Sequence, residues 1–323
     1  MKKIKFLLLL SNLALLGCAQ KSGQSFIPDS WFYAGESPVQ RMYILRNGQV
    51  SWDYVNPDGR GEISDAVLQD DGNILIAHQY GIAEIAPDKS TVWKYPAPDN
   101  TEIHTIQPIG KDKVVFVQND IPCGKVIVMR KKDHAVLKEF PLPVRQPASV
   151  HGQFRCARLT ADGTYVVANM GLGMVCEYNA DGNELKRIDL PGAWGVEILE
   201  NGNWLLTSNR CIVREYTPDG QEVWSIDLNE HPDYGVTSTQ KSYRLPDGCT
   251  LIGNWLNEWN KEEREARDAD PTHAPPQFIA VNPAGEKVWE LRSWEDPDLG
   301  PSTTWQSLDK PVVRENMFFG PFK

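Results

Sequence analysis

The chain has 323 residues, is 41% hydrophobic with 11 tryptophans, and carries a formal charge of −10. That length suits one large all-β domain or two smaller ones, with enough apolar side chain to fill a substantial core. The acidic balance argues against nucleic acid as a partner, because no basic surplus exists to neutralise phosphates.

The first residues read MKKIKFLLLLSNLALLGCAQ. Lys2, Lys3 and Lys5 precede an apolar run from Phe6 to Leu16 that is too short to span a bilayer. Leu15-Leu16-Gly17-Cys18 resembles the lipobox of bacterial lipoproteins. The resemblance implies a signal peptide over 1–17, lipidation of Cys18 and a linker over 18–30. An ordinary secretory signal with an incidental cysteine is the plainer reading. Two or more acyl chains on Cys18 would anchor the protein stably in a membrane, whereas one is marginal. Ala19-Gln20-Lys21-Ser22-Gly23 follows in place of the acidic run of surface-exported lipoproteins. The expectation is therefore an envelope lipoprotein of the outer membrane that faces the periplasm.

Cys123, Cys156, Cys176, Cys211 and Cys249 remain. Their odd number and scattered spacing read as buried thiols, with one disulfide open and no zinc pair.

Helical periodicity is confined to the leader and one charged stretch near 258–267. Elsewhere one hairpin recurs: ILRNGQVSWDY (44–54), EIAPDKSTVWKY (84–95), VMRKKDHAVLKEF (128–140), EYNADGNELKRI (177–188), EYTPDGQEVWSI (215–226) and AVNPAGEKVWEL (280–291). Each has a polar turn and then a large residue: Trp52, Trp93, Leu137, Leu185, Trp224 or Trp289. A second hairpin alternates with it, over 63–77, 103–117, 154–168, 193–207 and 239–253. One inner and one outer hairpin make a four-stranded blade, which gives five blades within 62–295. The hairpin at 44–54, Trp31–Gly35 and a lone strand from Ser302 to Leu308 would complete a sixth. The fold class expected is an all-β, six-bladed propeller over 31–323, closed by N- and C-terminal strands, since closure removes free sheet edges. Seven blades would follow if residues 20–43 held further strands.

The recurring apolar–x–PDG–x–x–x–W resembles the PQQ-like and arylsulfotransferase-like propeller repeats. EIHTIQPIG, VHGQFRCARLT and LRSWEDPDLGPSTTWQ resemble bacterial lipoprotein propellers encoded beside polysaccharide-degradation genes. The likeness spans the mature chain and implies fold more than chemistry, because propellers host many unrelated reactions. No vicinal cysteine pair or quinone-stacking set accompanies it, so PQQ is not expected. No cofactor is expected, although a metal stays open if His78, His104 and His151 converge.

Aligning the inner hairpins on their turns brings Ser64, His104, Arg155, Trp194 and Gln240 to one position near each strand start. Ser302 or Thr303 matches in the closing strand. The loops between second and third strands lie on the same face and begin with His78, Asn119, Asn169, Asn209-Arg210 and Asn254-Trp255. One mouth thus gathers His78, His104, His151, Arg155, Asn119, Asn169, Trp194, Asn209, Arg210, Gln240, Asn254 and Trp255. Arg158 lies deeper and reads as an inter-blade hydrogen-bonder or a channel group. Propeller channels are wet, and such polar residues often satisfy only one another and water. Three histidines and two arginines on one mouth also suit a ligand. Arginine binds carboxylate or sulfate, amides read hydroxyls, and tryptophan faces take a sugar ring. An acidic oligosaccharide or a small-molecule ligand is expected, held by a monomer at a mouth expected to be positive and poor in carboxylates, with Asp65 and Asp120 nearest. The loop from Asn254 to Gln277, with Trp255, Trp259 and His273, reads as a solvated decoration or a wall over the pocket.

No GxSxG, HExxH or P-loop occurs. Uronate elimination needs a cation for the carboxylate and a base such as histidine. His104 or His151 would be the base and Arg155 or Arg210 the clamp. Lyase- or glycosidase-like processing of a saccharide is the leading expectation. A non-catalytic glycan-binding or scaffold propeller and an arylsulfotransferase-like enzyme are the alternatives.

Overall fold

A computed structural model of the chain describes residues 29–35, 40–57, 59–146, 149–255, 265 and 274–308. The expected signal peptide, Cys18, the linker to residue 28, Trp259 and His273 lie outside the described residues.

The first strands, β1 (Trp31–Gly35), β2 (Arg41–Arg46) and β3 (Gln49–Val55), belong to the sixth blade. Blade one holds β4 (Asp65–Leu68), β5 (Ile74–Ala77), β6 (Gly81–Ile85) and β7 (Thr91–Pro96). Blade two holds β8 (Glu102–Ile109), β9 (Lys113–Asn119), β10 (Gly124–Arg130) and β11 (Ala135–Leu142). Blade three holds β12 (Phe154–Leu159), β13 (Tyr165–Asn169), β14 (Met174–Tyr178) and β15 (Glu184–Asp189). Blade four holds β16 (Ala193–Ile198), β17 (Trp204–Ser208), β18 (Ile212–Tyr216) and β19 (Glu222–Asp227). Blade five holds β20 (Thr239–Arg244), β21 (Thr250–Asn254), β22 (Phe278–Val281) and β23 (Lys287–Leu291). The last strand, β24 (Ser302–Ser307), becomes the innermost strand of blade six, in the order β24-β1-β2-β3. It pairs antiparallel with β1, setting Trp31 opposite Ser307 and Gly35 opposite Ser302. The structure is thus a six-bladed propeller of four-stranded antiparallel blades. No seventh blade forms from the described part of 20–43, whose strands, β1 and the start of β2, both belong to blade six.

The repeat's turn chemistry explains its hairpins. Asn47 and Gly48 take φ values of 51° and 72°, the pair of positive angles that a tight two-residue hairpin needs. Lys89 and His134 hold the same left-handed backbone without glycine, at φ 72° and 55°.

The recurring tryptophan latches one blade to the next. Trp52 Nε1 donates to Pro87 O at 2.9 Å, Trp93 Nε1 to Lys131 O at 2.8 Å, and Trp224 Nε1 to Pro283 O at 3.0 Å. Each acceptor sits in the outer turn of the following blade. Blade three has Leu185 at that position, and its neighbour Lys186 reaches Pro218 O at 2.7 Å instead.

Six apolar layers fill the gaps between adjacent blades. Phe140 and Phe154 lie in the layer between blades two and three, and Phe32, Ile63 and Ile74 in the layer between six and one. Burying a side chain of this size stabilises by about 1.5–3 kcal/mol. The five described cysteines are free thiols, four of them buried. No helix among the described residues is long and apolar enough to cross a membrane.

Candidate functional site at the channel mouth

The inner strands begin at one face of the ring. Near that start the antiparallel register slips in four of them: between Ile103 and Ile106, Phe154 and Cys156, Ala193 and Gly195, and Thr239 and Ser242. The residues passed over include His104, Arg155, Trp194 and Gln240. The closing strand slips likewise across Thr303. A bulge takes its extra residue out of the ladder and re-aims its side chain. Of the positions that turn alignment brings together, all but Ser64 are therefore the bulged ones.

Blades one, two and three build one buried cluster. His104 is fully buried. Its Nδ1 lies 2.9 Å from Glu62 Oε1 and 2.9 Å from Ser64 Oγ, and its Nε2 lies 2.7 Å from Glu102 Oε2. Glu102 Oε2 also takes His151 Nδ1 at 2.9 Å, and Glu102 Oε1 accepts from Gln79 Nε2 at 2.9 Å. The two imidazole rings meet edge to face, 5.1 Å between centroids. Burial alone would push the Glu102 carboxyl up. The hydrogen bonds from His104, His151 and Gln79 outweigh it and hold that carboxyl well below the usual carboxylate range.

Arg155 completes the cluster. Its Nη1 donates to Glu62 Oε1 at 2.5 Å and lies 3.2 Å from His104 Nδ1, while Nη2 donates to His151 O at 2.9 Å. Its guanidinium lies 4.4 Å over the Trp194 ring. A buried guanidinium must be paired, and this one is committed to protein groups. Arg155 is thus a strut beneath His151 rather than the free carboxylate clamp the sequence suggested. His104 is likewise engaged at both nitrogens. His151 differs: its side chain is 48% exposed, and no described residue partners its Nε2.

The mouth is not poor in carboxylates, contrary to expectation. Glu62 and Glu102 sit in its centre, and Arg155 balances only one of them. The expected candidates Asp65 and Asp120 are elsewhere. Asp120 Oδ1 accepts from the Ile121 backbone. Asp65 lies deeper in the channel, where Arg158 Nη1 reaches it at 3.0 Å and Lys241 Nζ at 2.6 Å. Burial pushes the Asp65 carboxyl up, but Arg158 and Lys241 outweigh it and hold it at about 2. Arg158 is therefore an inter-blade tie, joining blade three to blade one.

The trio Glu62, His104 and His151 has ligand atoms within 4.8 Å of one another, a spacing that suits a metal ion. His78 is not part of it. Arg155 Nη1 already stands against both Glu62 Oε1 and His104 Nδ1, so the positive charge at that point comes from a guanidinium.

The remaining expected residues divide by role. Asn169 Nδ2 donates to Pro143 O at 2.9 Å, and Asn119 Nδ2 to Val150 O and Phe154 O at 3.2 and 3.3 Å. Asn254 accepts from the Thr237 and Ser238 backbone and donates to Gly235 O and Pro276 O. These buried amides hold the loops that frame the mouth, since loop backbone needs such partners once buried. Gln240 is also buried. His78 lines a separate cavity of about 400 Å³ between blades six and one, with Tyr54, Asn56 and Trp93. Arg210 is exposed, Asn209 and Trp194 are half-buried, and Trp255 is half-buried with its backbone tied to Ser238 O. Asn209 Nδ2 lies 3.7 Å from Met170 Sδ.

Glu62, Glu102 and Gln79 are the residues sequence reasoning missed. A signal for two of them existed. Side chains alternate along a strand, so one step of two back from Ser64 and His104 gives Glu62 and Glu102 on the same side.

No protein-family model matches the chain, and no curated protein matches it in sequence. Solved structures share its fold. A protein of unknown function from Bacteroides caccae is 19% identical, covers 86% of this chain and 98% of its own, and superposes with a TM-score of 0.70. A streptogramin B lyase is 13% identical, over 84% of this chain and 86% of its own, with a TM-score of 0.55. A catalytically inactive virginiamycin B lyase from Staphylococcus aureus, solved with quinupristin, is 11% identical, over 82% and 85%, with a TM-score of 0.54. The chain is thus a propeller with lyase-like structural neighbours.

Proposed function

We propose that the protein is an envelope-anchored propeller that binds an acidic saccharide over its channel mouth and cleaves it by proton transfer at His151. The observation that carries this reading is the Glu102–His151 pair. A carboxylate on Nδ1 fixes the imidazole tautomer and leaves Nε2 as the proton acceptor, 48% of the side chain being in solvent. Elimination next to a uronate carboxylate needs such a base. Arg155 is committed, so the substrate carboxylate falls to the exposed Arg210 on the rim. Trp194, stacked on Arg155, offers a flat face for a sugar ring. Lipidation of Cys18 would hold the propeller at the outer membrane, facing the periplasm. The lyase-like neighbours share the fold at low identity and lend no substrate.

The test is incubation of the chain from residue 19 with a panel of acidic oligosaccharides, followed by unsaturated-uronate absorbance and new reducing ends. Turnover lost in His151→Ala and kept in Asn209→Ala supports the reading. Binding without turnover, unchanged by His151→Ala, would overturn it in favour of a non-catalytic glycan-binding propeller.

A further inference from the structure

Gln79 stands out against the rest of the mouth. It follows β5 in the turn to β6, and its backbone sits at φ 67°, in the left-handed region that favours glycine. Its peptide forms an isolated bridge with the inner strand of the next blade: Gln79 N donates to Ile103 O at 3.1 Å, and Ile103 N donates to Gln79 O at 2.8 Å. The bridge pins the turn against Glu102. The side chain then donates through Nε2 to Glu102 Oε1 at 2.9 Å, and the same nitrogen is 3.5 Å from His151 Nδ1. The amide must present nitrogen here, because its oxygen would face a carboxylate. A glycine would satisfy the backbone without strain, so the cost of a side chain at this position points to what the side chain does.

We infer that Gln79 is a positioning residue that acts through Glu102 to set the tautomer of His151. With Gln79 on Oε1, the Glu102 carboxylate cannot rotate, and Oε2 is left for His104 Nε2 and His151 Nδ1. His151 then keeps its proton on Nδ1 and offers Nε2 to solvent. The groups facing this unit are His104 and Glu102 from β8, Glu62 from the segment before β4, and Arg155 from β12. None of them can replace Gln79, since Arg155 is tied to Glu62 and to the His151 carbonyl, and His104 already uses Oε2. The inference rests on the reading of His151 as the base, but its first readout needs no substrate.

The experiment is ¹⁵N NMR of the histidine ring nitrogens in the intact protein at a pH where His151 is neutral, with Gln79→Gly and Gln79→Glu beside the wild type. The wild type should show His151 protonated on Nδ1. Gln79→Gly keeps or improves the backbone fit, which offsets part of the lost hydrogen bond to Glu102, so the protein should stay folded, yet His151 should shift toward the Nε2-protonated form that unconstrained imidazole prefers. Gln79→Glu places a second carboxylate against Glu102 and should disturb the tautomer at least as much. If turnover exists, kcat should fall about 10-fold in Gln79→Gly with KM unchanged, as for a group that helps only the proton transfer. A His151 that stays fully Nδ1-protonated in a folded Gln79→Gly protein overturns the inference. A tautomer that depends on Gln79 in a protein without turnover upholds it and overturns the lyase reading instead.

Discussion

Glu102 Oε2 holds His151 by its Nδ1 at 2.9 Å, across 49 positions of sequence and the gap between two blades. The pair has the geometry of a base and the group that orients it. Replacing His151 by alanine should cut turnover by roughly 10²–10⁴-fold, the usual worth of a general base. Glu102→Gln should lower kcat by a comparable factor while leaving saccharide affinity near wild type. Steady-state kinetics on both variants, with circular dichroism to confirm folding, checks this.

The channel charge network makes stability depend on acid. Asp65 titrates at about 2 in the fold against 3.8 unfolded. A depressed carboxyl stabilises above its unfolded value and loses that contribution as pH falls through its folded value. The window is therefore from about pH 4 down to pH 2, and the loss is about 2 kcal/mol. Between pH 5 and pH 2.5, urea unfolding should show an acid loss about 2 kcal/mol larger in the wild type than in Asp65→Asn, because the other lowered carboxyls, such as Glu102, titrate in both. That variant should also be destabilised by about 3–5 kcal/mol at pH 7, because it leaves Arg158 and Lys241 buried without their carboxylate.

The Trp93 latch predicts a smaller effect. Trp93→Phe keeps an aromatic ring and removes the hydrogen bond to Lys131 O. The expected cost is about 1 kcal/mol, read from the urea midpoint. An unchanged midpoint would mean that water replaces the indole donor.

Asn254 separates a structural amide from a ligand-reading one. Its carboxamide holds the 235–238 segment and Pro276 in place. Asn254→Ala should cost about 1–3 kcal/mol of stability and leave KM unchanged in the folded fraction. A raised KM with unchanged stability would return Asn254 to the ligand.

Arg210 carries the opposite expectation. It is exposed, and no described group pairs its guanidinium. Arg210→Ala should leave Tm unchanged and raise KM several-fold for acidic substrates alone. The difference should shrink as salt is raised, since exposed charge is screened.

How much of this was legible beforehand follows from the range of the interactions. Hairpins are local: a turn of Asn-Gly or Asp-Gly and the alternation around it are written in a dozen adjacent residues. The repeat therefore gave the four-stranded blades, their number and the closure of β24 on β1. Turn alignment likewise brought His104, Arg155, Trp194 and Gln240 to one mouth, because counting from a hairpin turn is a local operation. What those residues do there is not local. His104 is buried between Glu62 and Glu102, Arg155 spans from blade three to Glu62 before blade one, and Gln79 reaches into blade two. Such pairings join segments as much as 93 residues apart, and sequence spacing carries no information about which donors meet which acceptors. The bulges that turn these side chains inward depend on register between whole strands. The sequence determined by itself the propeller and the face that carries its polar residues. Only the tertiary structure decided that His151, and not His104, is the histidine of this cluster left open to solvent, because burial and the partners from three blades occupy both nitrogens of His104.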